Sequence, residues 1–174
     1  INNEPFEGDT LALGEELLLE MSIKELFKGS EEAKRLDQLK LNKGYINILV
    51  DSLGNNNYDI AIEDTTSTGD STAGFSFDLQ HYEINDSRIK YWDEGQNLLL
   101  DIEDLNHQGT GDFSLAESEL DTKSDALVSL DYDGVNYLNR NKVALDAVIQ
   151  MDLEKLRNTF VDKKATINYL PITF

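Results

Sequence analysis

Cysteine is absent from this chain of 174 residues. Its absence removes disulfide frameworks, thiolate zinc sites and cysteine nucleophiles together, while selecting neither redox compartment. Histidine is scarce. His81 and His107 are the whole supply, too few and too far apart in sequence to suggest a metal site. Each reads as a surface or hydrogen-bonded histidine. Positive charge is also in short supply, with 15 Lys plus Arg against 34 Asp plus Glu and a formal charge of −19. A protein that neutralises phosphates needs a basic face, so nucleic acid is excluded as a partner. Docking through a polybasic patch on anionic lipid is excluded for the same reason. Long apolar runs are missing. Stretches such as Leu98-Leu99-Leu100 are three residues long, far short of the roughly 18 residues of a membrane-spanning helix. The chain is nevertheless long enough for one domain that buries roughly 70% of its unfolded surface without a metal or disulfide.

What the sequence does have is a period of two. Leu11, Leu13, Leu17, Leu19 and Met21 share one parity, broken only by Glu15. Ile46, Ile48 and Val50 alternate with Asn47 and Leu49. Tyr58, Ile60 and Ile62 follow, then Phe75, Phe77 and Leu79, then Leu98, Leu100 and Ile102. Late in the chain Val143, Leu145, Ala147, Ile149, Met151 and Leu153 fall on one parity, opposite Ala144, Asp146, Val148, Gln150 and Asp152. Such one-sided alternation belongs to antiparallel sheets with one wet face. Turn signals stand between the runs, at Gly54 to Asn57, Glu94 to Asn97, Asp133-Gly134 and Asp162 to Lys164, with the last strand starting near Ala165. Ser22-Ile23-Lys24-Glu25 matches a capping box, and Leu26, Phe27 and Gly29 complete a short helix near residues 23–28. Residues 63–74 are small and polar and read as a mobile loop. The fold class expected is mainly β: a curved antiparallel sheet of successive hairpins with one short α-helix, groove-like or partly closed. The chain reads as a single β-rich domain over 1–174.

Catalytic and metal chemistry find little support. Ser71 lies in the least structured stretch rather than on a strand-to-helix elbow, and only His81 or His107 could serve as its base. The densest carboxylates, Asp51 with Asp59, Asp101 with Glu103 and Asp104, and Asp131 with Asp133, fit no calcium loop; along strands they form a solvated acidic face rather than a converging cage. With 34 acids some glycosidase-like pair is inevitable and carries no specificity. Tyr91 and Trp92, with His81 and Tyr82 upstream, could form an aromatic platform for a sugar, though aromatics are ordinary in strands. The remaining signal is the amount of one-faced apolar alternation with almost no helix to cover it.

The order of motifs resembles the AsmA family of envelope proteins from diderm bacteria. Asn2 to Leu13 is similar to the family's N-x-P-F-x-G-D-x-L opening, and Met21 to Gly29 to the short helix after its first strand. Leu39 to Ile48 resembles the strand pair that follows, running into Gly54 to Asp59, similar to a G-x-x-N-[YFW]-D turn. Asp104 to Phe113 resembles the L-x-H-x-G-x-G-D-F hairpin of the Bacteroidetes-type members, as do Gly134 to Asn139 and the segment from Thr159 to Asn168. The resemblance covers nearly the whole chain. It implies an N-proximal periplasmic fragment of a longer protein that is anchored in the inner membrane and contributes to outer-membrane assembly or lipid transport; the first residue, Ile1, agrees with a processed piece. It implies a non-enzymatic module without cofactor or metal, in which curved sheets form a groove for the tails of phospholipid or fatty acid.

The apolar parity nominates the groove lining: Leu13, Leu17, Leu19, Ile46, Ile48, Val50, Ile60, Ile62, Phe75, Phe77, Leu100, Leu145, Ile149 and Met151. For each, ordinary core is the competing reading. The alternative function is a protein-interaction scaffold with a filled core, acting on other envelope proteins through its edges or acidic surface. Open sheet edges imply that the fragment forms an edge-to-edge homodimer or guards those edges with charge.

Overall fold

The computed structural model describes residues 5–28, 34–58, 77–111, 117–152 and 157–172. Eight strands make one sheet in the order β1 (Ala12–Glu20), β3 (Gln38–Val50), β5 (His81–Asp93), β6 (Leu98–Thr110), β7 (Glu117–Tyr132), β8 (Val135–Asp152), β9 (Arg157–Ile167) and β10 (Leu170–Ile172). The sheet is open: β1 and β10 are its edges and do not meet. Two short strands, β2 (Lys34–Leu36) and β4 (Phe77–Leu79), pair with each other just before β3 and β5 and continue the line of those strands. The expectation of a mainly β, largely antiparallel sheet holds, and the sheet is not closed into a barrel. The succession of hairpins is broken once, because β3 and β5 are parallel, with Leu39 opposite Tyr82 and Val50 opposite Asp93. A parallel pair needs a crossover rather than a tight turn, and the stretch from Asp51 to Gln80 provides it.

The local signals are met unevenly. Asp133 and Gly134, both at positive φ, make the two-residue turn between β7 and β8, the geometry that matches strand twist. Glu94 to Asn97 turns β5 into β6. Asp162 to Lys164 is not a turn: it lies inside β9, and the chain reverses at Asn168-Tyr169, both at positive φ. The predicted α-helix is a single 3-10 turn over Ile23–Phe27. Its capping box does not close, because the Glu25 carboxylate accepts from the Arg35 backbone N–H at 2.7 Å and pairs with Lys28 at 2.6 Å. Ser22 makes no side-chain cap. Residues 63–74 lie outside the described residues.

Among the described residues, extensive contact joins only hydrogen-bonded strand neighbours, together with the 3-10 turn and β2. Among the described residues no second layer covers the sheet. The chain exposes 12165 Å², about 1.4 times the roughly 8,600 Å² that area scaling gives a compact chain of this mass. Even so, Leu105, Leu120, Ala126, Ala147 and Ala165 are buried, with Ser87 and Thr122. All seven stand on one face. In a single-layer sheet such burial comes from neighbours on the same face as the sheet curls toward it.

The edge of β3 is closed partly by a side chain. β1 covers β3 up to Ile46, and the Asn47 N–H donates to Leu11 O at 2.8 Å. Beyond that point Asn57 takes over. Its Oδ1 accepts from Leu49 N–H at 2.9 Å, its Nδ2 donates to Asn47 O at 2.7 Å, and its own N–H donates to Leu49 O at 3.0 Å. The amide stands in for a strand, and Asn57 is 1% exposed as a result. Asn57→Ala leaves two β3 backbone groups without these partners and is expected to cost about 2 to 4 kcal/mol of stability. A urea unfolding midpoint that stays at the wild-type value would contradict this.

Candidate functional site

The apolar residues of the long strands do not keep one parity. In β3 they sit at Leu39 and Leu41, then at Ile46, Ile48 and Val50. In β5 the sequence is Tyr82 and Ile84, then Ile89 and Tyr91; in β6 it is Leu98, Leu100 and Ile102, then Leu105. With strict alternation each set would split between the two faces. The structure prevents the split with one left-handed residue per strand: Lys43 (φ 51), Asp86 (φ 47), Asp104 (φ 51) and, in β8, Arg140 (φ 51). Each inserts a half-step and flips the alternation. The register shifts in β5/β6, β6/β7 and β7/β8 lie on this line.

Polar side chains stitch the line together. Gly44 N–H donates to Ser87 Oγ at 2.8 Å, and Ser87 donates to Asn85 O at 2.9 Å. Asp86 N–H donates to Asn106 Oδ1 at 3.2 Å, and Arg140 N–H donates to Ser129 Oγ at 3.0 Å. A Cβ on Gly44 would lie 2.7 Å from Leu41 Cδ2, and one on Gly14 2.9 Å from Leu41 Cδ1. Leu41 therefore leans over the line on the same face as both glycines, which is direct proof of the flip.

The result is one largely apolar face. Its rows run across the strands as Leu17–Leu41–Ile84–His107–Ser124–Leu145–Ala165, then Ile46–Ile89–Ile102–Val128, then Ile48–Tyr91–Leu100–Leu130–Leu138. Along β3 the face extends from Leu39 to Val50, about 36 Å at strand rise. Small residues (Gly44, Ser87, Gly109, Thr122, Ala126, Ala147 and Ala165) form a buried floor. Larger side chains flank it, and at the β1 side Leu17 and Leu19 are 61% and 54% exposed. An open apolar surface of this extent marks a site of contact in a monomer.

The nominated lining residues fare differently. Leu17, Leu19, Ile46, Ile48, Val50, Leu100, Leu145 and Ile149 share this face. Leu13 does not. It pairs with Tyr45, while Gly14 stands on Leu41's side, so the flip carries Leu13 to the outer face. Ile60, Ile62 and Phe75 lie outside the described residues. Phe77 is placed in β4 opposite Lys34 and Met151 in β8 opposite Ser118. Leu39, Leu41, Ile84, Ile89, Leu105, Leu120 and Val128 were not nominated. The signal that finds them is the pair of polar or acidic residues at each phase change: Asn42-Lys43, Asn85-Asp86, Glu103-Asp104 and Asn139-Arg140.

The opposite face carries the ion pairs, beside apolar residues such as Leu49, Trp92 and Leu99. Arg88 holds Asp101 through two hydrogen bonds, Nε to Oδ1 at 2.9 Å and Nη2 to Oδ2 at 2.5 Å. Arg140 pairs with Glu103, and Lys43 with Glu15 at 2.9 Å. Lys40 pairs with Glu83 at 2.8 Å. Hydrogen bonds from Lys40, His81 and Asn85 hold the Glu83 carboxyl down to about 2. His81 belongs to this outer face, between Thr110 and Glu83. Trp92 also faces outward in register with Leu49 and Leu99, whereas Tyr91 faces the apolar side. The two therefore cannot form one sugar platform. Ser71 lies outside the described residues. Among the described residues no three metal-ligating side chains converge.

One polar chain interrupts the apolar face. Tyr82 Oη lies 2.7 Å from His107 Nε2, and His107 Nδ1 lies 2.7 Å from Ser124 Oγ. A Cβ on Gly109 would fall 2.4 Å from the Tyr82 ring, so the phenol crosses β6 where only glycine admits it. Burial pushes the Tyr82 phenol up and the His107 imidazole down. A histidine held below its ordinary 6.5 stays neutral in the fold while the unfolded chain takes up the proton. Its contribution is complete above that value and is lost as the pH falls through the lower folded value. His107→Gln should flatten the acid limb of stability just below pH 6.5, read from unfolding midpoints between pH 7.5 and the onset of carboxylate titration. An unchanged limb would contradict it.

Comparison with known proteins found no matching family model, no matching curated protein and no matching solved structure.

Proposed function

We propose that this chain is a non-enzymatic module that shields the acyl tails of phospholipid or fatty acid on its apolar β-face. In this reading it is a periplasmic part of an inner-membrane-anchored envelope protein that serves outer-membrane assembly or lipid transport. The observation that carries the proposal is the largely apolar face, preserved across the line of left-handed residues where strict alternation would have divided it. A sheet built for solubility alone gains nothing from that device. The span from Leu39 to Val50 is longer than an extended sixteen-carbon chain. Each methylene moved from water onto such a face contributes ~0.8 kcal/mol, so one tail is a substantial ligand. The ionic outer face keeps the opposite side in water.

A scaffold reading has its own support in the edge of β1, a nine-residue strand that among the described residues pairs on one side only. Such an edge accepts a strand from a partner or from a second copy.

Native mass spectrometry with organic extraction separates the two. Stoichiometric co-purified phospholipid or fatty acid is the expected result. Leu17→Asp and Ile48→Asp should each weaken uptake of a fluorescent fatty acid by at least about tenfold, because a carboxylate among methylenes is heavily penalised. Leu17 is exposed enough that its variant should keep the wild-type circular dichroism. Uptake unchanged in both variants would sink the groove, and a partner complex that survives them would favour the edge.

A further inference from the structure

The Tyr82–His107–Ser124 chain has no structural need to lie on this face. The fold could have filled these positions of β5, β6 and β7 with apolar side chains, as it does two rows higher at Ile89, Ile102 and Val128. We propose that the chain is the polar subsite of the groove and that it takes an uncharged acceptor, the ester carbonyl of an esterified acyl chain, in preference to the carboxylate of a free fatty acid. The proposal rests on the lipid-shielding reading and specifies its ligand class.

Hydrogen counting supports this. Tyr82, neutral His107 and Ser124 bring three polar hydrogens, and the two links of the chain use two. The phenol is the more acidic hydroxyl and donates to Nε2. The imidazole N–H then lies on Nδ1 and donates to Ser124. The Ser124 hydrogen is the one that neither link requires. Other hydroxyls on this face are engaged locally: Thr122 donates to Ala147 O at 2.9 Å, Ser87 to Asn85 O at 2.9 Å, and Tyr91 to Asp93 Oδ2 at 3.2 Å.

Charge decides the kind of acceptor. The chain is neutral, and burial opposes protonation of His107. On this face Lys163 stands opposite Ala147, two strands from Thr122, or about 10 Å at ordinary strand spacing. A carboxylate set against Ser124 would lose its water and, among the described residues, meet no cation on this face of β6, β7 or β8, which is costly. A carbonyl loses less and gains one hydrogen bond. With Leu41, Ile84 and Leu145 in the same row, the attached tail has apolar surface on both sides.

The test uses three probes with sixteen-carbon tails: hexadecane, methyl palmitate and palmitate, each displacing a neutral naphthylamine fluorophore at pH 7.5. Methyl palmitate should bind about tenfold more tightly than palmitate. Ser124→Ala should weaken the ester about fivefold to tenfold, the worth of one hydrogen bond in a dry site, and leave hexadecane unchanged. Ser124→Thr should restore the ester. In infrared spectra the bound ester's carbonyl stretch should move to lower frequency in the wild type and return in Ser124→Ala. Equal binding of ester and carboxylate, or an ester unaffected by Ser124→Ala, overturns the subsite while leaving the groove intact. Failure of all three probes to displace the fluorophore overturns both. If Ser124→Ala fails to fold, the carbonyl frequency in the wild type and the Ser124→Thr variant decides.

Discussion

A β-strand changes face with every residue, so a strand whose apolar residues change parity midway would turn half of them to water. That constraint governs this molecule. β3, β5, β6 and β8 all change parity, and all four do so on one line across the sheet, through Lys43, Asp86, Asp104 and Arg140 in left-handed backbone. None of these is glycine, and Lys and Arg have no particular aptitude for that conformation. The cost is met by the hydrogen bonds that stitch the line, above all Ser87 and Asn106, and by ion pairs from Lys43 to Glu15 on the neighbouring strand β1 and from Arg140 across β7 to Glu103 on β6. β7 carries Leu120, Thr122, Ala126, Val128 and Leu130 on a single parity and needs no such residue. The coincidence of the four breaks keeps the apolar face whole.

Curvature follows from the same arrangement. Bulges increase local twist and bend a sheet. Small residues on the inner side let neighbouring strands approach without crowding: Gly44 beneath Leu41, Gly109 beneath the Tyr82 ring, and alanines at 126, 147 and 165. The outer side can then carry long ionic side chains, which spread on a convex surface. The division of labour between the faces is thus steric as well as chemical. It leaves a lined concavity on which, among the described residues, no helix or strand packs. Among the described residues, the Tyr82–His107–Ser124 chain is the place on that concavity where three successive strands contribute linked polar groups.

Much of this was legible beforehand. The period of two, the Asp133-Gly134 turn and the shortage of helix follow from side-chain chemistry that acts over a few residues, and they fixed a mainly β sheet with one greasy face. Leu17, Ile48, Leu100 and Leu145 could be nominated for the same reason. Leu13 was misplaced because parity was carried through Glu15 as though the strand were regular. Glu15 looked like a blemish in an apolar stripe, when it is the residue that pairs with Lys43 at the phase change. Asp162 to Lys164 looked like a turn because three charged residues interrupt an apolar pattern; they sit in β9, a strand that is mostly exposed and tolerates them.

The sequence by itself determined which residues are able to line an apolar face, since alternation and turn chemistry are local. The tertiary structure decided whether they share it. The parallel neighbouring of β3 and β5, separated by some thirty residues of chain, depends on a crossover whose cost is loop entropy and whose reward is the pairing of Leu39 to Val50 with Tyr82 to Asp93. The alignment of four left-handed residues into one line depends on the register of five strands at once. Likewise, His107 could not be distinguished from a surface histidine by its neighbours in sequence. Its meaning comes from Tyr82, 25 residues before it, and Ser124, 17 after, brought within 2.7 Å by ladder hydrogen bonds that no short stretch of sequence encodes.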